Sequence, residues 1–147
     1  MKLKTSIYLA LMGLGLTASA QAATFVWDGG ATGNWKTAAN WDPDGSPGTD
    51  DTATIGATST VTFDGGGNLP LNLTLNLDGT LTNSGQGAIR TAGGTINVSS
   101  TGEIAGDFWD LRNATIVFED GATYSANDWE NKDTNVFIFN LKPRPNC

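Results

Sequence analysis

The stretches "LNLDGTL" (residues 75–81), "INVSSTGEI" (96–104) and "IVFEDGATY" (116–124) decide the fold. In each, apolar residues recur at every second position, pass a glycine-containing corner and resume. Leu75 and Leu77 precede Gly79 and Leu81; Ile96 and Val98 precede Gly102 and Ile104; Ile116 and Phe118 precede Gly121 and Tyr124. A period of two marks a half-buried strand. The units begin at Leu75, Ile96 and Ile116, spaced 21 and then 20 residues apart. A coil of about twenty residues is what a β-solenoid repeats, and such a unit buries its apolar face only against its neighbours. "ATIGATSTVTF" (53–63) reads as a less regular earlier coil.

A β-sandwich competes, since Asp-Gly in "LDGT" (77–80) and "EDGA" (119–122) is a hairpin signal. The repeat length favours the solenoid, because sandwich strands recur every eight to twelve residues or so. No segment beyond residue 22 carries a helical stripe. The expectation is an all-β chain, a β-solenoid of about four coils over residues 52–141. A Trp-rich cap over 23–51 precedes the coils and an irregular tail, 142–147, follows them.

Working outward, "MKLKTSIYLALMGLGLTASAQA" has Lys2 and Lys4 before an apolar run and ends in small residues. That is the pattern of a cleavable secretory signal peptide, residues 1–22, with a run too short to span a membrane. No cysteine follows the run that would take a lipid anchor, and nothing later is apolar enough for a span. The mature chain is expected to be secreted or held at the cell surface.

The chain of 147 residues has 8 basic and 15 acidic residues and a formal net charge of −7. Loss of Lys2 and Lys4 makes it more acidic still, which argues against nucleic acid, since a phosphate backbone needs a basic patch. The sole cysteine is Cys147, so no disulfide framework is available. Histidine is absent altogether, which removes the commonest general base and the common zinc sites.

The opening "FVWDGGATGNWKTAANWDPDGSPGTDDTATIG" (25–56) resembles the start of autotransporter-passenger-like and PEP-CTERM-associated β-helical proteins exported by bacteria. The matching residues are Trp27, Gly33-Asn34-Trp35, Asn40-Trp41, Pro47, and Asp51 through Ala53 to Ile55. "YSANDWENKDTNVFIFNL" (124–141) is similar to material from such proteins. The resemblance implies a right-handed parallel β-helix whose first coil follows the opening, with a structural or adhesive role at the cell surface. Such proteins run for more coils and end in a membrane-translocating barrel or a sorting segment. Against that pattern the close at "LKPRPNC" reads as a truncated or frameshifted end. "TNVFIFNL" (134–141) then forms a fresh strand with nothing to cover it, an edge open to self-association.

Trp27, Trp35 and Trp41 have two readings. Exposed aromatic faces stack on sugar rings, whereas a solenoid's terminal coil needs a bulky lid. Their place immediately before the first coil favours a structural cap. The loop "WDPDGSPGTDD" (41–51), with Asp42, Asp44, Asp50 and Asp51, is oxygen-rich. It lacks an EF-hand's ligand spacing and terminal Glu, so ordinary turn chemistry explains it and no metal or other cofactor is expected.

"GDFWDLRN" (106–113) sets Asp107, Asp110 and Arg112 beside Trp109. With Tyr124 and Trp129 these residues form the candidate carbohydrate site, aromatics for stacking and charges for polar contact. The partner would be a polysaccharide or extracellular matrix. Asp-x-x-Asp-x-Arg is too weak a pattern to argue for glycosidic cleavage, and a catalytic groove needs several coils. No catalytic residue is assigned. Thr-x-Thr pairs at 52/54, 60/62 and 80/82 allow an ice-binding ladder, although threonine is equally expected as a strand former.

Overall fold

A computed structural model describes residues 21–143 apart from Gln86. The expected signal peptide, save its last two residues, and the end of the tail including Cys147 lie outside the described residues.

The alternating runs form strands, and the strands wind into a parallel β-solenoid. A first, incomplete turn holds β1 (Thr24–Trp27) and β2 (Thr32–Asn34), then a 3₁₀ turn (Ala38–Asn40) and β3 (Trp41–Asp42). Four complete turns follow, each with three strands. They are β4 (Thr52–Ile55), β5 (Thr60–Asp64) and β6 (Gly67–Asn68); β7 (Thr74–Leu77), β8 (Thr80–Ser84) and β9 (Ile89–Arg90); β10 (Thr95–Val98), β11 (Glu103–Ile104) and β12 (Phe108–Arg112); β13 (Thr115–Glu119), β14 (Thr123–Tyr124) and β15 (Asp128–Lys132). A last strand, β16 (Val136–Asn140), opens a further turn. Strands of like position stack into three sheets, ordered β16-β13-β10-β7-β4-β1-β3, β14-β11-β8-β5-β2 and β15-β12-β9-β6.

Register explains why the period of two was visible. In the first sheet Ala53, Leu75, Ile96 and Ile116 align in one inward column and Ile55, Leu77 and Val98 in the next. All seven are buried. A fully buried Leu or Ile contributes roughly 1.5–3 kcal/mol over an exposed one, and here every rung supplies several. The outward positions hold a column of threonines, Thr24, Thr52, Thr74, Thr95 and Thr115. On the second sheet Thr60 and Thr62 lie in register with Thr80 and Thr82, whereas Thr52 and Thr54 belong to the first.

The corner entering the first sheet also repeats. Asp50, Asn72, Gly93, Asn113 and Asp133 all have positive φ, between 50° and 80°. Asp, Asn and Gly are the residues that tolerate this left-handed conformation. At the corner between the first and second sheets the chain passes tightly over the coil below: a Cβ on Gly102 would collide with the Leu77 carbonyl oxygen.

The segment expected to be a cap also supplies a rung. β1 pairs in parallel with β4 from Thr24, and β2 with β5. The two ends of the solenoid differ. At the N-terminal end β3 turns back antiparallel along β1, pairing Trp27 with Trp41. At the C-terminal end β16, β14 and β15 are the last strands of their sheets among the described residues.

Candidate functional site

Three clusters of chemically capable side chains stand out: the tryptophans at the N-terminal end, the charges on the third sheet, and the aromatics at the C-terminal end.

Trp27, Trp35 and Trp41 are 6%, 2% and 0% exposed. Trp41 sits between the other two, edge-on to both, with ring centroids 5.2 Å from Trp27 and 4.8 Å from Trp35. Its Nε1 donates to the Trp35 carbonyl at 2.9 Å, and Trp27 Nε1 donates to the Gly30 carbonyl at 2.9 Å. The indole N–H groups of Trp27 and Trp41 are thus satisfied internally, and with all three rings buried no ring face is free to stack on a sugar. Lys36 extends this end: its Nζ donates to the carbonyls of Asp64 and Gly66 and lies 4.7 Å from the Phe63 ring centroid.

The acidic loop is held by the chain itself. Asp51 accepts from the backbone N–H groups of Ala23 and Gly48, and Asp50 accepts from the Asn72 side-chain amide. Among the described residues no group of three or more His, Cys, Asp or Glu is placed to hold a metal ion.

On the third sheet Asp110 points outward yet is only 2% exposed, because three cations from three successive turns fold over it. Arg112 grips it with two hydrogen bonds, Nε to Oδ1 at 3.0 Å and Nη2 to Oδ2 at 2.6 Å. Arg90 approaches from the turn below at 3.3 Å and Lys132 from the turn above at 3.7 Å; Lys132 also pairs with Glu130 at 2.6 Å. The bidentate Arg112 bond, aided by the charges of Arg112, Lys132 and Arg90, outweighs desolvation and holds the Asp110 carboxyl below the usual carboxylate range. An ionised carboxylate fixed this way is neither a proton donor at neutral pH nor an accessible base.

At the C-terminal end, beyond the last turn of the described residues, lies an open apolar basin of about 500 Å³. Phe118, Tyr124, Trp129, Phe137 and Phe139 line much of it. Trp129 contacts Tyr124 and Phe137 edge to face, with centroids 6.3 and 5.8 Å apart. Trp129 is 46% exposed and Phe139 60%. The Tyr124 hydroxyl is buried with no hydrogen-bond partner among the described residues. Burial, and secondarily the charge of Asp128, push its pKa up to about 12.

The six residues expected to form one carbohydrate groove are not brought together. Trp109 is fully buried, its Nε1 donating to the Ala105 carbonyl at 2.8 Å, so its assignment as a stacking residue is corrected: it is core. Neighbours along a strand face opposite ways, so Trp109 points into the solenoid while Asp110 and Arg112 point out. Asp107 sits exposed at the preceding corner, accepting from the Asn127 side chain at 3.0 Å. Tyr124 and Trp129 do share a surface, the terminal basin, but it is the end of the core and not a groove along the wall. Sequence reading missed Arg90 and Lys132. The signal was available in their spacing, 20 residues before Asp110 and 20 after Arg112, one coil in each direction.

No known protein family, no curated protein and no solved structure matches the chain.

Proposed function

We propose that this chain is a non-catalytic structural or adhesive module of an exported bacterial protein, a short rod working at the cell surface or outside the cell. Its resemblance to autotransporter-passenger-like and PEP-CTERM-associated openings, and its leader-like first 22 residues, support the location. The observation that carries the structural role is how the wall spends its polar groups. Side chains at equivalent positions on successive turns bond to one another along the axis. Asn97 donates to Asn76 at 3.0 Å, Asn127 to Asp107 at 3.0 Å, Asn140 to Glu119 at 2.7 Å, and Ser84 to Asp64 at 2.6 Å. The Arg90–Asp110–Arg112–Lys132 ladder does the same with charge. A surface that satisfies itself from coil to coil stiffens a rod and leaves few groups aimed at a substrate.

Fractionation of producing cells, followed by adhesion and polysaccharide-turnover assays on the secreted chain, tests this reading. The chain should appear in the surface or extracellular fraction, and its deletion should weaken attachment to polysaccharide or matrix. Retention in the cytoplasm would overturn the reading, as would release of sugar products that Asp110→Asn abolishes.

A further inference from the structure

We propose that Ala22–Ala23 is the bond cut when the leader is removed, and that Asp51 is the receptor for the α-ammonium this cut creates. The inference rests on the exported reading and adds to it the processing site and the group that holds its product.

The small residues Ala18, Ala20 and Ala22 allow a leader peptidase to cut after Ala20 or after Ala22. The fold separates the two. Ala23 is gripped at both backbone groups: its N–H donates to Asp51 Oδ1 at 2.7 Å, and its carbonyl accepts from the Thr52 N–H at 2.8 Å. One residue on, Thr24 enters β1 and aligns with Thr52 of β4. Gln21 and Ala22, ahead of that grip, are exposed and belong to no strand.

Asp51 is fixed in place for this role. Its other carboxylate oxygen, Oδ2, accepts from the Gly48 N–H at 2.6 Å, and its backbone carbonyl accepts from the Thr74 N–H at 2.9 Å. The neighbouring carboxylate, Asp50, is turned away to Asn72. The loop on one side and the next coil on the other thus leave Oδ1 aimed at Ala23.

The rest of the solenoid shows why a carboxylate stands here. Ala23, Asp51, Leu73, Gly94, Ala114 and Asn135 occupy one place in successive coils. The same side-chain bond to the coil below recurs at the far end, where the Ala114 N–H donates to Asn135 Oδ1 at 2.8 Å. That donor is an amide within the chain, and its acceptor is a neutral carbonyl. At Ala23 the acceptor is an anion, which matches a cation.

The cut supplies that cation. Peptidase-catalysed hydrolysis adds one water across Ala22–Ala23 and breaks the C–N bond. The hydroxyl joins the Ala22 carbonyl carbon, which leaves with the leader as a carboxyl group, and the hydrogen joins the Ala23 nitrogen. That amine takes a further proton from solvent at neutral pH. A hydrogen bond with one charged partner becomes an ion pair with two, and the tie that docks β1 on β4 is strengthened.

N-terminal sequencing and intact mass of the secreted chain form the first test, and the first residue should be Ala23. A secreted chain that begins at Gln21 overturns the proposal and leaves export intact. A chain kept inside with its leader overturns the exported reading and the cut together. The clasp is then read on the mature chain, 23–147, with its Ala23 amine either free or acetylated. Acetylation keeps an N–H for Asp51 and removes only the charge. The acetylated form should melt about 3–5 °C lower at pH 7, and the difference should vanish in Asp51→Asn. Equal melting of the two wild-type forms overturns the clasp, as does a difference that survives Asp51→Asn. The free-against-acetylated comparison needs no substitution, so it decides even where Asp51→Asn fails to fold.

Discussion

Trp41 Nε1 donates to the carbonyl of Trp35 at 2.9 Å, and the two rings meet at 72° with centroids 4.8 Å apart. One side chain thus plugs the solenoid's first turn and ties down the backbone that crosses it. Truncating a buried tryptophan costs about 3–5 kcal/mol. For a domain of this size that lowers Tm by roughly 10–20 °C. Trp41→Ala should show this fall in a thermal melt followed by circular dichroism; an unchanged melt would show that the indole cluster is not what closes this end.

Asp110 gives a pH-dependent prediction. Its folded carboxyl titrates below the ordinary value of 3.8. The ion-pair ladder therefore contributes fully above that value and is lost as pH falls through the lowered native one. The three cations are each 41–45% exposed, so the contribution is discounted to about 1 kcal/mol. Asp110→Asn should be less stable than wild type at pH 7 in urea unfolding, and the gap should narrow at strongly acidic pH. A gap that stays constant with pH would rule out the charge as its source.

Tyr124 predicts the opposite slope. The folded phenol titrates at about 12 and the unfolded one near 10.0. Between those values the folded chain holds the proton that the unfolded chain has lost, so stability falls as pH rises through the window. Tyr124→Phe should abolish that alkaline loss. At neutral pH it should be neutral or stabilising by about 1 kcal/mol, because it removes a buried hydroxyl without a partner. Chemical denaturation at pH 7 and pH 11 checks both halves.

The corner column yields a paired test. Asn113 has φ 50° and its side chain accepts from the Thr134 N–H at 3.4 Å. Asn113→Gly should change stability by a few tenths of a kcal/mol, since glycine adopts this conformation freely. Asn113→Ala should cost about 1 kcal/mol or more. Equal denaturation midpoints for the two variants would mean that the left-handed backbone is not what selects Asn.

Much of the architecture was legible because two of the three sheets announce themselves. β5, β7 and β10 alternate polar and apolar residues over four positions, and their inward residues recur coil by coil. The third sheet was not legible. Its strands read "GN", "IR", "FWDLR" and "DWENK", two of them too short to show a period. The "DWENK" strand lies on the exposed last turn and has one apolar residue. That gap is why Arg90 and Lys132 escaped notice, and why Trp109 looked like a surface aromatic beside a charged cluster. It also left the corner residues Asp50, Asn72, Gly93, Asn113 and Asp133 as unrelated turn formers, although they share one place in the coil.

Sequence alone determined the coil: its length, its inward columns and the tryptophan-rich start, because strand periodicity and stacking repeat are written locally, residue by residue. Only the tertiary structure decided which residues share a surface. Asp110 and Trp109 are adjacent in the chain but lie on opposite sides of the wall, since successive side chains along a strand point apart. Asp110 and Arg90 are a full coil apart in the chain but touch, because the winding stacks one turn on the next. Phe139 carries the pattern of a core residue and aligns with Phe118, yet it is exposed because β16 is the last strand of its sheet among the described residues.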